Sequence, residues 1–316
     1  LAVDDGSTDD TFSKLMSFKN ERLRVITHRH IGWAASVRRA VSNSSGELIV
    51  VHGTGDYSYP ARIERQVELF RSRPEVGVVG CLVENVNPVS GRKRFCRKLR
   101  DGEPELDQLL RGNVFMCGEA MFRRRVYDAA GGFRTLFADM QEYDLWLRMA
   151  PLTRFAVVRD VLYRSYAQPD EGCAAYEQRI VRQYLAELAR QCAERKRAGE
   201  ADPVETHGAS GMFFRRRTTR LARNLLALAI EAMGDDQDAE LVRRILRLSL
   251  GERWNPAAAL LAALFGLSER SAAVRRPLHF FMHAAIHRHD TVRNNVAAPP
   301  FDTPRNAPNQ RTNPLV

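Results

Sequence analysis

Apolar and polar positions along the first half of the chain predict strands and helices in turn. Apolar runs, continuous or alternating, predict strands at residues 23–27, 47–51, 76–86 and 155–166. Apolar residues at every third or fourth position predict helices at residues 33–42, 60–72, 119–130 and 142–149. Strand followed by helix, several times over, predicts a doubly wound α/β sheet.

From residue 169 onward the pattern changes to helices alone. Amphipathic segments predict helices at residues 176–199, 212–233, 239–250, 256–267 and 277–289. From Asp290 onward Pro, Asn and Thr are frequent and no periodicity remains, which predicts disorder. We therefore predict three parts, an α/β domain at residues 1–168, a helical region at 169–289 and a disordered tail at 290–316.

The chain of 316 residues has a formal net charge of +10, from 48 Lys and Arg against 38 Asp and Glu. Such a balance favours anionic partners, such as nucleotide diphosphates or lipid headgroups. No nucleic-acid-reading motif accompanies the charge, so no nucleic-acid partner is predicted. An arginine cluster beside Phe213 and Phe214 predicts peripheral contact with an anionic membrane, although a solvated helix start explains it nearly as well. The cluster consists of Arg215, Arg216, Arg217, Arg220 and Arg223.

The cysteines and the length of the apolar runs indicate in which cellular compartment the protein is expected. The five cysteines are odd in number and show no Cys-x-x-Cys spacing, which argues against a disulfide framework and for a reducing compartment. The longest apolar run, residues 257–267, is too short to span a bilayer. These features predict a cytoplasmic protein, peripheral at most to the cytoplasmic face of a membrane. His279, His283 and His287 recur at helical spacing and could gather a metal, but a surface helix is the commoner explanation.

The first eleven residues carry the densest chemistry in the chain. Apolar residues lead into Asp4 and Asp5, and a strand that ends there places carboxylates at the sheet edge where open α/β folds bind ligands. Ser7 or Thr8 can cap the helix that follows. Paired carboxylates suit sugar hydroxyls, a nucleobase N–H or a divalent cation. A phosphatase-like Asp-x-Asp loop fits less well, because Gly6 stands where its second aspartate is needed.

Four segments resemble, in order and spacing, the motifs of family 2 glycosyltransferases, which have the GT-A fold and use nucleotide-activated sugars. The opening Val-Asp-Asp-Gly-Ser is similar to that family's strand end, and residues 45–60 to its Gly-Glu-strand-Asp-x-Asp-Asp-x-x-x-Pro. Residues 121–124 and 131–134 resemble the helix and Gly-Gly turn beside the acceptor site. Residues 141–148 resemble Glu-Asp-Tyr-Asp-Leu-Trp-Leu-Arg. The resemblance covers about residues 1–166 and does not extend into the helical region.

This resemblance implies an inverting, non-processive glycosyltransferase. Such an enzyme moves a sugar from a nucleotide-diphosphate donor, here expected to be a UDP-sugar, to a hydroxyl of a glycan or lipid-linked acceptor in glycan or cell-surface polysaccharide synthesis. Asp4, Asp5 and Arg38 would bind the nucleotide sugar. Glu142, at the position of the family's catalytic aspartate, would be the general base. The acceptor side would be formed by Asp144, Trp146 and Arg148.

Two departures from the family pattern bear on metal binding and on the start of the domain. Gly53-Thr54-Gly55 replaces the Asp-x-Asp whose second carboxylate holds Mg²⁺ or Mn²⁺, so Asp56 remains as the metal-side carboxylate. We therefore expect only weak dependence on Mg²⁺ or Mn²⁺. The family's first strand and helix are expected before Leu1. These departures favour an alternative function, a catalytically impaired glycosyltransferase-like binding module.

Overall fold

The strands and helices of the computed structural model follow the predicted alternation in the first half of the chain. The structure describes residues 1–87, 91, 93–96, 105–166, 173–235 and 237–271. The strands are β1 (Ala2–Asp4), β2 (Val25–Thr27), β3 (Leu48–Val50), β4 (Tyr57–Ser58), β5 (Val76–Val86), β6 (Lys93–Cys96), β7 (Met121–Arg123) and β8 (Arg154–Tyr166). The α-helices are α1 (Thr11–Ser17), α2 (Trp33–Ser42), α3 (Arg62–Ser72), α4 (Leu106–Arg111), α5 (Arg124–Ala129), α6 (Gln141–Met149), α7 (Cys173–Arg197), α8 (Pro203–His207), α9 (Thr219–Gly234), α10 (Ala239–Glu252) and α11 (Pro256–Arg270).

Strand β5 is the centre of the larger sheet. It pairs in parallel with β8 and antiparallel with β6 and β7. Strand β3 pairs with β7 and β4 with β8, which gives the strand order β3–β7–β5–β8–β4. Strands β1 and β2 form a separate parallel pair. Nearly every residue of β5 is buried, as its continuous apolar run requires of a strand covered on both faces.

A hydrophobic core joins the larger sheet to helices α6 and α7. The Trp146 side chain is fully buried, and its ring meets Phe122 and Phe155 at centroid distances of 5.8 Å and 6.4 Å. Leu185 and Leu188 of α7 belong to the same core. The first long helix of the predicted helical region therefore packs on the α/β domain, and its start also contributes to a second core shared with α9 and α10.

The predicted class, an α/β sheet domain followed by helices, is confirmed, and α2 and β5 have the predicted bounds. One predicted helix, at residues 119–130, is wrong in its first half. Met121 begins β7 and pairs with β3 on one side and with β5 on the other, so backbone pairing on both edges outweighs helical propensity there. Only the second half is helical, and it stops at Gly131 and Gly132, whose φ angles are +78° and +69°.

The start of helix α1 also differs from the prediction. Its N-cap is Asp10, without a side-chain cap, and the Asp9 carboxylate accepts the Thr11 N–H at 3.0 Å. Ser7 does not cap this helix, because its N–H is drawn into the turn after β1 by Asp4.

The predicted helix at residues 277–289, which carries His279, His283 and His287, and the predicted tail at 290–316 lie outside the described residues. Among the helices that the structure describes, none has the length and apolar content needed to cross a membrane.

Candidate active site

Asp4 lies at the end of β1 and organises the turn that follows. Its carboxylate accepts the Ser7 N–H at 3.1 Å and the Thr27 hydroxyl at 2.8 Å. Hydrogen bonds from Ser7 and then Thr27 lower the pKa of Asp4 from its ordinary value. Asp4 is buried, so this carboxylate ties β1 to β2 from inside the structure.

Asp5 shapes the loop that leads into α2. Its two oxygens accept the N–H groups of Ile31 at 2.8 Å and Gly32 at 3.0 Å. The Nδ1 atoms of His28 and His30 lie 3.3 Å and 3.1 Å from the carboxylate. Burial acts to raise the pKa of Asp5, but the hydrogen bonds and the neighbouring histidine outweigh it, and the net shift is downward. The Asp5 side chain keeps a quarter of its surface exposed, so of the two predicted acids it is the one within reach of a ligand.

Arg38 is placed away from the β1 turn. Its Nη1 donates to the carbonyl oxygens of Gly131 at 3.2 Å and Phe133 at 2.6 Å. The structure therefore brings Arg38 to the Gly-Gly turn before α6, and its described partners do not include Asp4 or Asp5.

Asp56 is held by two residues of β8. The Tyr163 hydroxyl donates to Asp56 Oδ2 at 2.6 Å, and the Tyr166 N–H donates to Oδ1 at 3.2 Å. The same Tyr163 hydroxyl accepts the N–H of Gly53 at 3.1 Å, so one buried phenol fixes both ends of the loop that replaces the Asp-x-Asp motif. Burial, followed by the bond to Asp56, raises the pKa of Tyr163 far above its ordinary value, and the phenol stays a donor at physiological pH.

The Asp56 loop does not fit a metal centre built by protein ligands. A side chain at position 53 would clash with Asp56, since a Cβ on Gly53 would stand 2.6 Å from Asp56 Oδ2. Within the described ranges, no three His, Cys, Asp or Glu side chains are grouped to hold a metal ion. Asp56 is a single carboxylate, and an Mg²⁺ ion held by one carboxylate takes its other ligands from substrate phosphates and water.

Glu142 lies in the first turn of α6, where the helix N-terminus favours a negative charge. The Asn113 amide donates to Glu142 Oε1 at 3.2 Å, while its own oxygen accepts the Phe115 N–H. The Glu142 side chain is partly exposed. A carboxylate that is held at a helix start and still open to solvent suits a general base.

One short segment connects Glu142 to the Asp56 loop. Residues Cys117–Glu119 form a single 3₁₀ turn. Burial raises the pKa of the Cys117 thiol, and the charge of the nearby Glu142 raises it further. Gly118 lies against the Tyr163 ring, since a Cβ there would stand 2.3 Å from the phenol oxygen. Glu142 and the tyrosine that holds Asp56 therefore both lie near this turn.

The three predicted acceptor-side residues are buried in α6. Trp146 donates its indole N–H to the Phe115 carbonyl at 3.2 Å. Asp144, whose side chain is 1% exposed, accepts from Arg148 Nη2 at 2.6 Å and from Arg134 Nε at 3.0 Å. These side chains contact protein groups beneath Glu142 and have no open face toward an acceptor.

Arg134 and Asp202 complete this buried network, and neither was predicted as a site residue. Arg134 Nη1 donates to Asp202 at 2.7 Å, and Asp202 caps α8 by accepting the Val204 N–H at 2.8 Å. Burial opposes the charge of Arg134, but the two aspartates outweigh it and raise its pKa. The Asp-Pro pair at the start of α8 is a recognisable cap signal, but nothing in the sequence pairs it with a residue 68 positions away.

Comparisons with known proteins agree with the motifs. Residues 1–131 match the model of the family described as "Glycosyl transferase family 2". Over 156 residues the chain is 29% identical to the Bacillus subtilis (strain 168) protein named "Putative glycosyltransferase EpsE", covering 47% of this chain and 54% of that protein. The chain thus spans about half the length of this curated relative.

Two solved structures are also similar to this chain. The mannosyltransferase PcManGT from Pyrobaculum calidifontis, in complex with GDP-Man and Mn²⁺, is 19% identical with a TM-score of 0.45, over 90% of this chain and 76% of that chain. Residues 1–349 of S. aureus TarS, in complex with UDP-GlcNAc, are 15% identical with a TM-score of 0.49, over 91% of this chain and 82% of that chain.

Proposed function

We propose, from the match of residues 1–131 to the model of glycosyl transferase family 2, that the chain transfers a sugar from a nucleotide-diphosphate donor to an acceptor hydroxyl. A UDP-sugar is the donor we propose, and a glycan or lipid-linked molecule is the acceptor. The observation that supports the proposal is that Glu142 lies near Cys117 while Tyr163, the hydrogen-bond donor to Asp56, lies against Gly118 of the same turn.

In the proposed reaction Glu142 acts as general base. Its carboxylate takes the proton of the acceptor hydroxyl, and the acceptor oxygen forms a bond to the anomeric carbon of the donor sugar. The bond between that carbon and the diphosphate oxygen breaks, and its electron pair leaves with the nucleoside diphosphate. Attack from the face opposite the leaving group inverts the configuration at the anomeric carbon.

The buried residues of α6 fix the helix that carries this base. Arg148 donates to the Gly132 carbonyl at 2.8 Å as well as to Asp144, so it fastens α6 to the Gly-Gly turn. We propose that Asp144, Trp146 and Arg148 position the helix that presents Glu142 and do not touch the acceptor.

The enzyme is expected to release nucleoside diphosphate from a UDP-sugar with little dependence on added metal. Metal-dependent transferases rely on a divalent cation for several kcal/mol of leaving-group stabilisation. Because Asp56 is the carboxylate that remains at the position of the family's metal motif, we propose that a cation contributes less here, and chelation should lower turnover by less than about tenfold. The measurement is UDP or GDP release from UDP-glucose, UDP-GlcNAc and GDP-mannose, with Mn²⁺ or with EDTA.

The outcomes of this assay separate the two candidate functions. Release above the enzyme-free rate supports the transferase. Binding of UDP in calorimetry without any turnover would instead support the impaired binding module, and absence of both would refute a nucleotide-sugar site. A complete loss of release in EDTA would contradict the expected weak metal dependence and show that a divalent cation is essential.

A second surface favours membrane contact. Phe213 is 83% exposed and Phe214 48%. Arg215 and Arg220 are committed to ion pairs with the buried Glu252 and Glu187, whereas three members of the arginine cluster remain exposed, namely Arg216, Arg217 and Arg223. Exposed aromatic rings beside exposed guanidinium groups are suited to an anionic lipid surface.

In liposome flotation the full chain is expected to bind vesicles of phosphatidylcholine with phosphatidylglycerol, and not phosphatidylcholine alone. Each basic residue at an anionic surface contributes about 1 kcal/mol, so the double variant Arg216→Gln, Arg217→Gln should bind about tenfold more weakly or worse. The double variant Arg243→Gln, Arg247→Gln removes the same charge from exposed ion pairs of α10 and serves as control. Equal binding to neutral vesicles would contradict the electrostatic explanation.

A further inference from the structure

A pocket of about 310 Å³ opens between the start of α6 and one face of α7. Its volume is at the lower end of the range of about 300–1,000 Å³ that is typical of small-molecule sites. Asn113, Met140 and Tyr143 line the side toward the sheet domain, and α7 supplies the other side. The α7 residues are Arg179, Arg182, Gln183, Ala186 and Arg190.

Among the described residues, the lining contains three guanidinium groups and no carboxylate. The charges of two of the three, Arg190 and Arg179, are balanced by carboxylates outside the lining. Arg190 donates to Glu187 at 2.9 Å and to the Tyr143 hydroxyl at 3.0 Å. Arg179 pairs with Glu231 and lies over the Tyr176 ring.

Arg182 differs from its two neighbours. Its Nε is buried and has no hydrogen-bond partner among the described residues. Arg182 forms a long ion pair with Asp139, whose Oδ2 lies 3.7 Å from Nε and so beyond hydrogen-bonding distance, and the Arg182 and Asp139 side chains are 36% and 50% exposed. Asp139 also has a φ of +61°, a left-handed conformation that non-glycine residues adopt at a cost and that concentrates at functional sites. A buried donor without an acceptor is costly unless a ligand satisfies it.

The pocket adjoins the proposed base. Asn113, which lines the pocket, donates to Glu142 at 3.2 Å, and Met140 and Tyr143 flank Glu142 in the chain. The pocket therefore lies one side chain, that of Asn113, away from the Glu142 carboxylate, which would accept the proton of the reacting hydroxyl.

Resting on the proposed function, we propose that this pocket is the acceptor subsite and that it recognises an anionic acceptor. The acceptor would carry a phosphate or carboxylate group near its reacting hydroxyl, and Arg182 would bind that group. A guanidinium is the side chain best matched to the planar spacing of two anionic oxygens. The ion pairs of Arg179 and Arg190 fix the two side chains in the lining of the subsite. The N–H group that lacks a hydrogen-bond partner within the described part of the chain is Nε of Arg182.

Isothermal titration of the full chain with glucose 6-phosphate, glucuronate and glucose, each in the presence of saturating UDP, tests the proposal. At least one anionic sugar is expected to bind, and glucose is expected not to. The preferred anion distinguishes a phosphate-bearing from a carboxylate-bearing acceptor. The variant Arg182→Gln should weaken binding by about 10- to 100-fold, the effect of losing a charge-assisted hydrogen bond, while Arg182→Lys should retain part of the affinity.

Lys196→Gln is the matched control, because it removes one positive charge from an exposed ion pair on the same helix. Its affinity for the anionic sugar should equal that of the wild-type chain. Unchanged binding by a folded Arg182→Gln variant, equal binding of glucose, or displacement of the anionic sugar by UDP would overturn the proposal. Affinity for UDP is measured separately, so failure of the nucleotide site is distinguishable from failure of this subsite.

Discussion

Replacement of Asp144 by asparagine is expected to lower the free energy of unfolding by about 3–5 kcal/mol, which is the usual effect of removing one partner from a buried ion pair. The Asp144 carboxylate is almost fully buried and accepts from both Arg134 and Arg148. A neutral amide in its place leaves two guanidinium groups undercompensated inside the protein. The measurement is urea denaturation at pH 7, followed by circular dichroism.

The control for this prediction is Asp160→Asn, which makes the same chemical change at a surface pair. Asp160 binds Arg65 at 3.1 Å, and both side chains are about half exposed, so its loss should change the unfolding free energy by less than about 1 kcal/mol. Similar values for the two variants would show that the network around Asp144 does not hold α6 in place.

The local structure of the chain was largely predictable, because it depends on short-range patterns. Strand β5 and helix α2 have the bounds that their apolar runs and the glycine before α2 predict. The failure at residues 119–130 has a physical reason. The spacing of apolar residues reports only which side of a segment is buried. Strand β7 forms because β3 and β5, both far away in sequence, complete its backbone hydrogen bonds on either edge.

The sequence was sufficient to select the candidate carboxylates of the site, but not to identify the residues that surround them. Asp5 and Glu142 could be selected because strand ends and helix starts are recognisable in a sequence. The partner of Asp56, Tyr163, is 107 positions away and sits in a strand whose alternation gives no sign of a functional phenol. Arg182 lies in α7, beyond the reach of the family resemblance, and only folding brings it into one pocket with Asn113, the hydrogen-bond partner of Glu142.

Roles for two acids of the same helix follow from their surroundings. Asp144 is two residues after Glu142, and from the sequence either could be the base. The structure gives Asp144 two arginine partners and no open face, while Glu142 is partly exposed and receives a neutral amide hydrogen bond. An acceptor hydroxyl cannot reach the buried Asp144 carboxylate, so Asp144 is poorly placed to accept its proton.

Replacement of Glu142 by glutamine is accordingly expected to lower turnover by about 10²- to 10⁴-fold, the typical contribution of a positioned general base. The amide keeps the size of the side chain and its bond to Asn113, so the affinity for UDP and the unfolding free energy should stay close to wild type. Turnover is measured as nucleoside diphosphate release at saturating donor, with UDP affinity from calorimetry. This pattern is the opposite of that expected for Asp144→Asn, in which activity falls only as far as the folded population falls.

Glu142→Asp provides the conservative control for the base. It restores the residue of the family motif and keeps an acidic oxygen at the start of α6, so it should retain far more activity than the glutamine variant. Wild-type turnover in Glu142→Gln would disprove the assignment. A loss of turnover matched by an equal loss in Glu142→Asp would show instead that the longer side chain, and the reach it gives toward Asn113 and the α7 pocket, is what catalysis requires.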